Sequence, residues 1–338
     1  MRKISAFLLC IFASFLLLFT GVGISYPIRT IAENGQYLYV GGMPAGFMLS
    51  AGGAQVIGVC DVIGEEQTVS PAKDAGIKSG DIITEAAGIK IESVADLNSI
   101  LAKNQEKEIE ITVKRGENTQ KINVKPERDR ATKKFKIGVL IRDTISGIGT
   151  ITYINPNNRQ FGALGHTVGE DHEKMNSEGK LYHCSIVSVM KGIRGKAGEL
   201  HGMFLGDGVF GKTQTLCECG IFGEIDKEVD LSKLNQAQAD SSDVKPGNAY
   251  IFSTINGQSP KKYSAEIVKV DKFNKENKNY VLKITDKELL ETTGGIVQGM
   301  SGSPIMQGDK LIGAITHVFL NDPTRGYGID IEKMLNHQ

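Results

Sequence analysis

Residues 295–305 read GIVQGMSGSPI, an apolar run broken by glycine at 295, 299 and 302, serine at 301 and 303, and proline at 304. Glycine and proline weaken the interior of a buried strand, so their clustering points to one place that needs an unusual backbone. Two alternatives follow. Ser301 or Ser303 is a nucleophile, or the segment is only a tight turn.

An acyl-transfer nucleophile needs an exposed hydroxyl, backbone N–H groups aimed at the developing oxyanion, and a histidine base. The G-x-S-x-G elbow of α/β-hydrolases fails here, because Ser303 stands where the second glycine belongs and only 37 residues follow Ser301 to supply an acid and then a histidine. GMSGSP is instead similar to the G-D-S-G-G-P of trypsin-like proteases. That resemblance selects Ser301 as nucleophile, assigns the N–H groups of Gly299 and Ser301 to the oxyanion hole, and leaves Ser303 to the supporting turn.

The base then lies upstream. Among the six histidines, His166 closes the small-residue strand FGALGH and is the best placed; His172 in GEDHE reads as a solvated loop residue, His183 and His201 are undecided, and His337 is terminal. His317, on the strand IGAITHVF after the nucleophile, reads as a packed or pocket-lining residue. A zinc site of His166, Glu170 and His172 lacks the H-E-x-x-H helix and is set aside. CEC at 217–219 offers two ligands without a second close Cys or His pair, so Cys60, Cys184, Cys217 and Cys219 read as buried thiols or one bridge, with no metal and no cofactor expected.

Around the serine the pattern is all β: KIGVLIRD, GIGTITYI, AYIFSTI, SAEIVKV, NYVLKIT and KLIGAITHVF are short strands at the spacing of a barrel or sandwich. The polar run 225–247 reads as a surface insertion. Upstream, ERDRATKKFK (127–136) reads as a solvated linker. Before it, SVADLNSILAK predicts a short helix capped by Ser93, with apolar residues at 94, 97, 100 and 101, and EIEITVKR with QKINVKP predicts a hairpin. Together with AGIKSGDII these make 37–126 resemble a PDZ domain, of the kind attached to bacterial secreted proteases. The resemblance implies peptide capture by a backbone loop, here Gly46, Phe47, Met48 and Leu49.

With 338 residues and 40% hydrophobic content, the chain can bury a core in more than one domain. Its 39 basic and 39 acidic side chains cancel, which removes any general electrostatic reason to seek nucleic acid. After Met1-Arg2-Lys3, the run Ile4 to Ile24 carries no charge and at roughly 20 residues is long enough to span a bilayer. It reads as an uncleaved anchor exporting the rest of the chain. A cleaved signal peptide competes, though its apolar region is usually roughly 7 to 15 residues and only GVG at 21–23 offers a small-x-small site.

GALGH, LKITDKELLETTGGIVQGMSGSPI and GAITHVFLNDPTRGYGIDIEKML resemble the SpoIVB (stage IV sporulation protein B) peptidase family of endospore-forming bacteria. The resemblance covers the whole chain. It implies a membrane anchor or signal segment (1–24), a linker (25–36), a PDZ domain (37–126), a second linker (127–136) and a chymotrypsin/trypsin-like double β-barrel peptidase domain (137–338). By motif, the implied triad is His166, Asp286 in KITDKELL, and Ser301; without the resemblance Asp286 reads as a strand-end cap or turn residue. The implied role is a serine endopeptidase of sporulation signalling, exported across the forespore membrane into the intermembrane space and anchored until it cleaves itself. Its partner would be a membrane-bound regulator of an intramembrane protease, whose cleavage leads to activation of a late mother-cell sigma factor. The alternative is a non-catalytic, membrane-tethered PDZ scaffold with a degenerate protease-like barrel.

Overall fold

The computed structural model describes residues 36–168 and 178–337, so the expected anchor (1–24), nearly all of the expected linker (25–36), Glu170 and His172 lie outside the described residues. Among the described residues no helix is long and apolar enough to cross a membrane.

Most of the chain is strand, and the pairings close two rings of six antiparallel strands. The first runs from the start of Pro44–Val59 through Val139–Ile154, Gln160–Ala163, Gly220–Ile225, Glu199–Cys217 and Gly179–Met190, and returns to Pro44–Val59 where Leu49 pairs with Gly179. The second runs Gly247–Ser253, Lys261–Val270, Tyr280–Ile284, Arg325–Asp330, Lys310–Val318 and Pro304–Gln307, and closes where Ile251 pairs with Ile305. Closure removes exposed edges and gives each strand one inward face, as in Lys261–Val270, where Tyr263, Ala265 and Ile267 alternate inward. Phe47, Leu49, Ile151, Phe161 and Leu181 fill the first ring, and Ile251, Tyr263, Leu282, Met300 and Ile315 the second.

The polar run 225–247 is more than a surface insertion. Within it the strand Gln236–Ala239 pairs with Tyr37–Val40 on one side and in parallel with Lys310 and Leu311 on the other, tying the rings together over Leu38, Tyr153, Phe222 and Leu311.

A separate core lies under the helix Val94–Asn104, built from Ala54, Val56, Ile83, Leu97, Leu101, Ile111 and Val113. The helix starts as its sequence predicts: the Ser93 hydroxyl accepts from the Asp96 N–H, and the Asp96 carboxylate accepts in return from the Ser93 N–H. The predicted hairpin forms between Ile109–Arg115 and Asn118–Val124. Asp81 of the AGIKSGDII motif is buried, and Arg115 grips its carboxylate with two bonds of 2.6 and 2.8 Å. Burial pushes the Asp81 pKa up, but Arg115 and the Lys78 N–H outweigh it and hold the carboxyl below its usual value.

Two expectations are corrected here. Gly46–Leu49 is not a peptide-capturing loop: these residues lie in the strand Pro44–Val59, paired on one side with Phe47↔Gly147 and on the other with Phe47↔Leu181, and the Phe47 and Leu49 side chains are buried in the first ring. With both edges paired, no backbone donor row is left for a peptide. Tyr37–Ser50 therefore belongs with the peptidase strands, and the PDZ core begins near Ala54. The stretch 127–136 is an ordered hairpin, with Glu127–Arg128 paired to Phe135–Lys136 and the Asp129 carboxylate accepting from both the N–H and the hydroxyl of Thr132. From Val139 the chain runs back along Pro44–Val59, so two long strands pass continuously from one core into the other.

Candidate active site

Ser301 lies in the turn between the helix Lys287–Thr293 and the strand Pro304–Gln307. The turn needs left-handed backbone at Gly299 (φ +94°) and Gly302 (φ +91°). A Cβ on Gly302 would also lie 2.1 Å from the Thr150 carbonyl oxygen, so the first ring's approach admits only glycine. That ring grips the turn directly. The Thr150 N–H donates to the Ser301 carbonyl at 3.0 Å, and the Thr150 and Thr152 hydroxyls donate to the carbonyls of Gly299 and Gly302, each at 2.8 Å.

The two serines have different surroundings. Ser303 is fully buried and its hydroxyl donates to the Ser253 Oγ at 3.0 Å. Ser301 is partly accessible and its hydroxyl donates to the Thr316 carbonyl at 2.9 Å. Among the described residues, neither the Gly299 nor the Ser301 N–H donates to a protein acceptor. Two free donors beside an accessible hydroxyl are what oxyanion stabilisation requires.

His166 follows the strand Gln160–Ala163 through two consecutive left-handed residues, Leu164 (φ +67°) and Gly165 (φ +71°). This sharp reversal turns the imidazole toward the second ring, where it lies 5.0 Å from the ring of His317. His166 Nδ1 is 2.6 Å from the Thr167 carbonyl oxygen. A carbonyl can only accept, so Nδ1 carries the proton and Nε2 keeps its lone pair. Burial lowers the His166 pKa, and the Thr167 bond only partly opposes it. His317 is pushed down to about 4, first by desolvation and then by His166 and Lys278. Both imidazoles are therefore neutral at pH 7, the form a general base needs.

His166, Thr167, Gln298, Gly299 and Ser301 line one cleft of about 310 Å³, whose apolar wall includes Phe47, Leu49 and Ile145. The former peptide-loop candidates thus help to wall the serine cleft. Asp286 is not brought to His166. It is the N-cap of the helix Lys287–Thr293, and its carboxylate accepts from the N–H groups of Leu289 (3.1 Å) and Ser264 (3.2 Å). In this conformation the Thr167 carbonyl, not a carboxylate, orients the histidine. His183 stacks on Phe210, and His201 lies beside Ser188 and Glu199.

Sequence reasoning missed Thr150, Thr152 and Thr316, which act from strands distant in sequence, and Thr167, the neighbour of His166, which acts through its backbone carbonyl. No local signal marks such residues. His317, read as a packed or pocket-lining residue, is exposed and instead lies beside His166.

The SpoIVB peptidase S55 family profile matches residues 133–335, and a PDZ domain profile matches residues 55–125. The regulator of sigma-W protease RasP of Bacillus subtilis (strain 168) is 40% identical over 67 residues, which is 20% of this chain and 16% of that protein, so the chain spans only a small part of that relative's length. Among solved structures, the Rv3671c protease in an inactive form is 13% identical with a TM-score of 0.34, covering 56% of this chain and 82% of that one. An inactive serine-to-alanine mutant of Rv3671c from M. tuberculosis H37Rv is 12% identical with a TM-score of 0.32, covering 56% and 79%.

Proposed function

From the premise that the chain belongs to the SpoIVB peptidase S55 family of serine peptidases, we propose that it is a serine endopeptidase of sporulation signalling on a chymotrypsin-like double barrel. It cleaves itself and a membrane-bound regulator of an intramembrane protease, leading to activation of a late mother-cell sigma factor. The apolar run Ile4 to Ile24 supports export and anchoring before self-cleavage, across the forespore membrane into the intermembrane space. The similarity of a 67-residue stretch to a protein named as a sigma-W protease regulator is in keeping with a signalling role.

One observation carries the catalytic part: Ser301 from one ring and His166 from the other line a single cleft, with the Gly299 and Ser301 N–H groups unpaired among the described residues beside the hydroxyl. In the reaction the Ser301 hydroxyl leaves the Thr316 carbonyl and turns toward His166. Nε2 takes its proton as Oγ bonds the scissile carbonyl carbon; the carbonyl oxygen gains the negative charge and is held by the two N–H groups. The imidazolium then protonates the departing amine, and water hydrolyses the acyl-enzyme by the same route. The Thr167 carbonyl fixes the histidine tautomer throughout.

An active-site-directed fluorophosphonate tests the reading. It should label wild type at Ser301, with N-terminal fragments of the chain itself found by mass mapping, and label neither Ser301→Ala nor His166→Ala. The scaffold alternative draws on one observation, the use of Asp286 as a helix cap. A folded wild type that takes up no probe and yields no fragments would establish it.

A further inference from the structure

We propose that Cys217, Glu218, Cys219 and His337 form a zinc site that latches the C-terminal helix of the second ring onto a hairpin of the first. The spacing C-x-C supplies only half a ligand set, and the fold supplies the rest. Cys217 pairs with Gly220 at the end of the strands Glu199–Cys217 and Gly220–Ile225, which leaves Glu218 and Cys219 as the two turn residues. Gly220 takes φ +132° there, and a Cβ on it would lie 2.2 Å from the Ala163 carbonyl oxygen, so the tight approach of the hairpin to Ala163 requires glycine. The strand Arg325–Asp330 leads into the helix Ile331–Leu335, capped by the Asp330 carboxylate through the Glu332 N–H, and the next turn brings His337 over the hairpin.

The ligand atoms of Glu218, Cys219 and His337 all lie within 4.8 Å of one another. Tetrahedral zinc with bonds of about 2.0 to 2.3 Å sets its ligands about 3.3 to 3.8 Å apart. Small side-chain rotations of the exposed Glu218 and His337 close that difference. Cys217 lies outside that group of three and would supply the fourth donor by a side-chain rotation; its sulfur accepts from the Cys219 N–H at 3.3 Å. Two thiolates, an imidazole and a carboxylate favour zinc over the oxygen-seeking magnesium and calcium.

The surroundings also suit a metal–thiolate centre. Both sulfurs accept hydrogen bonds: Cys217 from the Cys219 N–H, and Cys219 from the Asn277 side chain at 3.5 Å. Asn277 is itself buried, held in a left-handed conformation (φ +58°), and fixed through its oxygen by Lys333 at 3.2 Å. Donors of this kind orient metal-bound sulfur. A second, independent feature is Tyr153. Its hydroxyl is buried with no hydrogen-bond partner among the described residues, and it packs in the same core as Cys219, with Cys217 against it.

The four cysteines among the described residues are unbridged, so the ligands are available. The site would join the first ring at its hairpin to the second at its last helix, on either side of the interface that holds Ser301 and His166.

The test uses the full chain, kept reduced and freed of metal, titrated with cobalt(II) as a spectroscopic stand-in and then with zinc. Wild type should take up equimolar cobalt with the near-ultraviolet sulfur-to-cobalt absorption, retain equimolar zinc through dialysis, and melt at a higher temperature with zinc than without. Cys217→Ser with Cys219→Ser should lose the absorption. His337→Gln changes an exposed residue and leaves the metal-free fold intact; it should bind zinc at least tenfold more weakly. If fully reduced wild type shows no sulfur-to-cobalt band, or if His337→Gln binds as tightly as wild type, the site as proposed is wrong. A Cys217–Cys219 disulfide in protein isolated without reductant, with no cobalt uptake after reduction, equally overturns it.

Discussion

The imidazoles of His166 and His317 lie 5.0 Å apart with their planes tilted by 42°, one from each ring of strands. Two cations at that distance repel each other, so the pair takes up its protons one after the other. His166 accepts the first, below the usual histidine value. His317 accepts the second at about 4.

The acid limb of kcat/KM should therefore fall at a pH below the ordinary histidine value of 6.5. His317→Asn, which leaves Ser301 and His166 in place, should keep that limb. NMR titration of wild type should place His317 near 4, and its pKa should rise in His166→Asn, where the neighbouring charge is gone. An acid limb at or above 6.5 would contradict the burial of His166.

The same pair ties stability to pH. The folded pKa values lie below the unfolded value of 6.5, so between them the unfolded chain binds more protons than the folded one. The contribution is fully present above about pH 6.5 and is lost as pH falls toward about 4. Melting temperature should fall across that window, and less steeply in the double variant His166→Gln with His317→Gln.

Ser301→Ala should remove turnover by a factor on the order of 10⁴ or more, because the members of a nucleophile–base pair act as a unit. Ser303→Ala should keep activity and lose stability. Its hydroxyl is wholly buried against Ser253, and stranding that partner costs about 1 to 3 kcal/mol. Melting curves with fluorophosphonate labelling separate the two effects, and full labelling of Ser301→Ala would remove it as the nucleophile.

Asp286→Ala should destabilise by about 1 kcal/mol through loss of a helix cap. Asp286→Ser restores a capping oxygen and should recover both stability and turnover to within about tenfold if the Thr167 carbonyl alone orients His166. A loss of turnover on the order of 10⁴-fold in a fully folded Asp286→Ser would instead require the carboxylate to reach the histidine in the working conformation.

Gly46→Ala should unsettle the peptidase rings and leave the PDZ core folded. A Cβ there would lie 2.3 Å from the Phe204 ring, and the rigid ring has to shift. Hydrogen exchange would show the loss in Val139–Ile154 and Gly179–Met190, with Ile109–Arg115 still protected. Loss confined to peptide binding would restore the loop reading of Gly46–Leu49.

The sequence by itself determined what is written in neighbouring residues. Gly299 and Gly302 around Ser301 demand a backbone that side-chained residues avoid; Ser93 and Asp96 cap their own helix; alternating Ile and Val set the hairpin at 109–124. Each depends on contacts within a few positions, so the pattern carries the physics. The tertiary structure decided which sheet each strand joins and which distant groups meet. GFML has the alternation of a barrel strand, yet nothing within it says that both its edges are paired. LKITDKELL marks a cap at Asp286, yet whether that carboxylate serves a helix or a histidine depends on where two rings close. The histidine's partner is a main-chain carbonyl, identical in every residue and therefore invisible in side-chain chemistry. His337 reaches the hairpin of Cys217 and Cys219 only because the second ring returns its last helix there. Local chemistry sets the conformation of a segment, whereas pairing between segments is fixed by the closure of the rings and the burial of their cores.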